Sequence, residues 1–191
     1  MSATGTNQKI DGRRLWDSLM QMAEIGATAK GGVRRLALGP VDKLGRDQFR
    51  RLCEAAGLRV RVDAMGNMFA RREGRDPSRL PVLFGSHLDS QPSGGKFDGA
   101  LGVMAGLEVM RSLNDLGLVT EAPLELVNWT DEEGSRFGKS LMGSGVWSGV
   151  YDQGETEALT DLDGHSVGAE LDAIGYRGEA AARAFPADAY F

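Results

Sequence analysis

The sequence predicts an α/β fold, a three-layer sandwich with a mainly parallel sheet, and three observations carry that expectation. Two short runs, Leu80-Pro81-Val82-Leu83-Phe84 and Leu124-Glu125-Leu126-Val127-Asn128-Trp129, have the length and apolar content of buried strands. Between them a Gly/Pro/Ser loop at 91–96 leads into an apolar helical pattern over 98–116. Residues 80–130 therefore read as a βαβ unit, whose crossover is parallel. Finally, the residues best suited to chemistry cluster just beyond these runs: Gly85-Ser86-His87-Leu88-Asp89-Ser90, Phe97-Asp98-Gly99 and Asp131-Glu132-Glu133-Gly134. Open α/β sheets build their sites at the carboxyl ends of strands.

The remaining elements follow in order. Residues 10–25 place Leu15, Trp16, Leu19, Met20, Met22 and Ala23 on a helical stripe. After Gly31-Gly32 and the Gly39-Pro40 turn, residues 41–56 form a second helix ended by Gly57. Residues 58–63 alternate, Gly66-Asn67 turns the chain, and 68–71 returns, a hairpin or a sheet edge. Beyond Gly134, helical patterns occupy 141–150 and 167–174, and 187–191 reads as the opening of a further strand, cut in mid-element.

With 191 residues, 41% of them hydrophobic, the chain is long enough for one buried core. Its 22 basic and 27 acidic residues give a net charge of -5, with no basic run able to track phosphates, so nucleic acid is excluded as a partner. The single cysteine, Cys53, permits no internal disulfide and sits at helical spacing from Phe49, as a core thiol does. Residues 1–14 are polar, and no stretch reaches membrane-spanning length, which points to a cytoplasmic protein without a membrane partner.

His87 and Asp89 flank one residue at a strand end, so the carboxylate is expected beside the ring, fixing its tautomer. The ordinary alternative is a satisfied histidine with an incidental aspartate. Asp98 precedes Gly99-Ala100-Leu101-Gly102, where it is either a helix N-cap or a carboxylate able to bridge two cations. The glycines at 94, 95, 99 and 102 let the backbone pass close to such ions. Glu132 and Glu133 are expected to diverge, one ligating a cation and the other facing the substrate water as general base. In isolation the triplet also reads as a solvated acidic turn. Ser93-Gly94-Gly95-Lys96 matches the Ser-x-x-Lys pattern of acylating serine enzymes, but it lies ahead of the helix instead of opening it.

The segments GSHLDSQPSGGKFDGALGV and NWTDEEGSRFGKSLMGSGVW resemble the metal-binding segments of the hydantoinase/carbamoylase branch of dinuclear zinc amidohydrolases. That branch holds N-carbamoyl-L-amino-acid hydrolase, β-ureidopropionase and allantoate amidohydrolase, and AEIGATAKGGVRRLAL is most similar to the carbamoylases. The resemblance implies a zinc-aminopeptidase-like catalytic domain of which residues 1–191 are the amino-terminal portion, without the inserted lid or dimerisation domain. It implies two divalent ions, zinc first, with manganese, cobalt or nickel as alternatives. His87 would ligate one ion, Glu133 the other and Asp98 both, with Glu132 as general base and Asp89 as the orienter of His87. The substrate would be a small N-carbamoyl or ureido compound, and the full-length form a homodimer. Two further histidine ligands are implied and have no counterpart here, since His165 reads as a surface residue. Either the chain belongs to a C–N hydrolase or, alone, it is an inactive metal-binding or interaction module.

Overall fold

Five strands hydrogen-bond into one sheet in the order β1-β2-β4-β3-β5, in a computed structural model that describes residues 9–190 apart from Pro186 and Asp188. The strands are β1 (Arg59–Val62), β2 (Met68–Arg72), β3 (Val82–His87), β4 (Leu124–Trp129) and β5 (Ala189–Tyr190). The helices are α1 (Gly12–Glu24), α2 (Pro40–Ala55), α3 (Ala100–Asp115), α4 (Met142–Trp147), α5 (Gln153–Glu157) and α6 (Val167–Ala173). Among the described residues no helix is long and apolar enough to cross a membrane.

The sheet is mixed where the sequence pointed to a mainly parallel one. β3 pairs in parallel with β4 and with β5, whereas β1–β2 and β2–β4 are antiparallel. Connection length explains the split. The tight turn at Gly66-Asn67 can join only antiparallel strands, while the crossover through α3 returns the chain parallel to β3. β2 then lies along the free edge of β4, with Phe69 opposite Val127 and Ala70 opposite Leu126.

Strand alternation sorts the core onto two faces. Met68, Ala70 and Leu126 pack with Leu19 and Met22 of α1, Phe49 of α2 and Met104 and Leu107 of α3. Their neighbours Phe69, Leu83 and Val127 pack on Trp147 of α4, with Trp129 and Phe185 partly buried against them. Cys53 lies in the larger cluster at 0% exposure, and burial pushes its thiol up, which fits a core residue.

Two glycines of α3 let it approach β3 closely. A Cβ at Gly102 would lie 2.8 Å from the Ser86 Cβ, and one at Gly106 2.6 Å from Leu126 Cδ1. β3 itself runs three residues past the apolar run, because Gly85, Ser86 and His87 pair with Val127, Asn128 and Trp129. At Gly85 a Cβ would overlap the Val127 carbonyl oxygen, so the strand end depends on that glycine. The short α5, N-capped by the Asp152 carboxylate on the Glu155 amide, had no counterpart in the sequence reading.

Candidate metal centre

His87 closes β3, and its ring is buried at 6% exposure. Nδ1 lies 3.0 Å from the main-chain oxygen of Asp89 and 3.7 Å from that residue's carboxylate. Both neighbours are acceptors, so Nδ1 is assigned as the protonated nitrogen and Nε2 carries the lone pair. That lone pair faces Glu132 Oε2 at 3.4 Å. Two acceptors in that relation need a proton or a cation between them. Gly99 forms the floor, with φ +63 and a Cβ position only 2.5 Å from His87 Nε2. Any side chain there would occupy the ground in front of the ring.

Asp98 and Glu133 approach the same point from two loops. One ligand atom from each of His87, Asp98 and Glu133 lies within 4.8 Å of the others. α3 begins at Ala100 with Gly99 as N-cap and no side-chain cap bond, so Asp98 is not spent on capping. Glu133 Oε2 accepts from Gln91 Nε2 at 2.6 Å, whereas Oε1 is buried without a hydrogen-bond partner. An imidazole nitrogen and two carboxylates, one of them with an orphaned buried oxygen, make a donor set that fits a divalent cation.

Asp89 ties the loops together. Its two carboxylate oxygens accept from the amides of Glu132 and Glu133, each at 3.2 Å. Burial raises its pKa, with Asp42 adding to the shift, while His87 and those two amides oppose it. Arg35 anchors the first loop from below. Its Nε donates to the Leu88 carbonyl at 2.5 Å, its Nη1 donates to the Met22 and Ile25 carbonyls, and its amide donates to Ser90 Oγ.

The sequence reading placed His87, Asp98 and Glu133 in one cluster, and they lie in one. It differs over Asp89, whose main-chain oxygen, not its carboxylate, makes the close contact with the ring. β3 has ended at His87, so the pleat no longer sets the aspartate's direction. Glu132 and Glu133 both have side chains near His87 instead of diverging. From sequence Asp131 is only one member of the acidic triplet, with no role of its own, and Gln91 is only part of a loop. Asp131 is 1% exposed at φ +48, and neither oxygen makes a hydrogen bond of good geometry. Burial, followed by the charges of Asp89 and Asp42, pushes its carboxyl up to about 8. His165 is exposed as expected and lies 3.6 Å from Asp161. Asp161, Asp163 and His165 form a second compact group, but the Asp161 oxygens accept from the amides of Asp163 and His165 and from Arg136.

The sequence model of peptidase family M28 matches residues 67–187. An N-carbamoyl-L-amino-acid amidohydrolase of Rhizobium meliloti is 49% identical over the full length of this chain and 46% of its own. A ureidoglycolate hydrolase of Arabidopsis thaliana is 32% identical over 83% of this chain and 33% of its own length. Among solved structures, a hydantoinase/carbamoylase family amidase from Burkholderia multivorans superposes with a TM-score of 0.96 at 53% identity, over 97% of this chain and 45% of that one. The chain spans about half the length, or less, of the curated relatives it matches. With His87, Asp98 and Glu133 all inside the matched 67–187 segment, the chain belongs to peptidase family M28.

Proposed function

We propose that this chain supplies the general base and part of the metal-ligand set of a hydrolase that cleaves a linear C–N amide bond in an N-carbamoyl amino acid or related ureido acid. The observation that carries the proposal is Glu132 Oε2 lying 3.4 Å from His87 Nε2, at the edge of a cluster of three donors within 4.8 Å. The names of the relatives, carbamoyl-amino-acid amidohydrolases and a ureidoglycolate hydrolase, supply the substrate class.

His87, Asp98 and Glu133 would hold the metal, with Asp98 shared between two ions and zinc as the first candidate. When bound, such a cation lowers the pKa of water toward ~7 and polarises the scissile carbonyl. The chain's own residues do the rest. Glu132, one-third exposed at its side chain, takes the proton of the attacking water and delivers it to the leaving nitrogen. Asp89 keeps the His87 ring and the 132–133 backbone in register, so that base and ligands move as one body.

A second reading is a metal-binding module without turnover. It is favoured by the cluster's composition, because a catalytic zinc normally keeps three protein ligands, and His87, Asp98 and Glu133 divided between two ions that share Asp98 would offer two to each. The decisive experiment pairs both forms. In a full-length relative carrying this segment, Glu132→Gln should keep its metal and lose turnover of an N-carbamoyl-L-amino acid by about 10²–10⁴-fold, the range for a general acid/base. Glu133→Gln should lose metal instead. Full activity in the Glu132 variant contradicts the base assignment, and turnover by residues 1–191 alone contradicts the second reading.

A further inference from the structure

Gln91 and Ser135 lie outside the cluster itself, one on the loop after β3 and the other on the loop after β4. The Ser135 hydroxyl donates to Gln91 Oε1 at 2.8 Å, and Gln91 Nε2 donates to Glu133 Oε2 at 2.6 Å. The direction of this chain of bonds is fixed at its ends. A carboxylate can only accept, so the amide must present nitrogen to Glu133, and its oxygen is then the end that meets the serine hydroxyl. The Gln91–Glu133 bond is charge-assisted and short, which makes it the stronger of the two. It occupies one oxygen of Glu133 and leaves Oε1, buried and without a hydrogen-bond partner, as the oxygen free to ligate a cation.

Loop one therefore holds Glu133 twice. The Asp89 carboxylate fixes its main-chain amide, and Gln91 fixes its side chain. Gln91 is exposed and contributes nothing to either hydrophobic cluster, so its polar group can be removed without a cavity. Resting on the metal-centre reading above, we propose that Gln91 and Ser135 are a positioning pair for Glu133. They orient its free oxygen toward the cluster and so set the affinity for a divalent cation. Neither residue touches the cation or the substrate. Ser135 acts only through Gln91, by locking the amide against the flip that would set its oxygen against the carboxylate.

The test is a zinc titration of this chain against a chromophoric chelator, with melting curves of the metal-free proteins alongside. Gln91→Met keeps length and bulk but cannot donate. It should weaken zinc binding by about tenfold or more, the usual loss for a residue hydrogen-bonded to a ligand, with no change in the metal-free melting temperature. Ser135→Ala should weaken it by less. The double variant should be no weaker than Gln91→Met, because the serine has no path of its own. Wild-type affinity in Gln91→Met, or additive losses in the double variant, overturns the proposal. Glu133→Gln and His87→Ala separate the two levels. If they abolish binding while Gln91→Met does not affect it, the positioning pair alone fails. If they leave zinc bound as in the wild type, the metal-centre reading fails and takes the pair with it.

Discussion

Asp131 is buried away from water beside the carboxylates of Asp89 and Asp42, and the consequence is a pH dependence with a definite sign. Its carboxyl titrates near 3.8 when exposed and is pushed up to about 8 in the fold. The folded state therefore binds the proton more tightly. The stability it contributes is fully present below pH ~4 and is lost as pH rises toward 8, at about 1.4 kcal/mol per unit for one proton. Asp63, held up at about 6 by burial against three hydrogen bonds, adds the same sign over a narrower window. Asp131→Asn should flatten the fall in unfolding free energy between pH 5 and pH 8, read from urea melts at several pH values. An unchanged slope contradicts the assignment. Sequence made His87, Asp98 and Glu133 legible because ligand-type side chains just past strand ends are few. It left the burial of Asp131 and the contacts of Gln91 hidden, since the first shows only in the packed fold and the second only in two partners from a distant loop.

At the scale of elements, close backbone approach does the positioning. α3 lies on β3 through Gly102 and Gly106, and the helix's first turn carries Gly99 up against the His87 ring. Gly106→Val should destabilise the fold by about 1–3 kcal/mol, because its branches must displace Leu126 and Phe84, whose atoms already lie within 3 Å of the Cβ position. Denaturant melts measure this, and a neutral result would mean that α3 can shift without cost. The apolar runs and helical stripes located α1, α2, α3, β1, β2 and β4 to within about two residues, because each buries a face whose period the sequence displays. The extension of β3 through Gly85-Ser86-His87 was not legible, since none of the three favours strands on its own. Pairing with β4 overrides local preference there, and it is that pairing which carries His87 to the site.

In the whole molecule, the βαβ unit sets the site and the hairpin widens the sheet. Sequence showed both units but not how they join, because a hairpin can dock in either sense on the free edge of β4. Once joined, the carboxyl ends of β3 and β4 lie side by side, with His87 level with Trp129. The loops that follow them are tied by Asp89 and Gln91 into one rigid cradle. The proposal that His87, Asp98 and Glu133 hold a divalent cation rests on this arrangement, and the most direct test is to look for the ion. Crystals grown with zinc, measured above and below the zinc absorption edge, should show an anomalous peak in contact with His87 Nε2 and with the carboxylates of Asp98 and Glu133. No peak at those residues, or one confined to Asp161, Asp163 and His165, would contradict it.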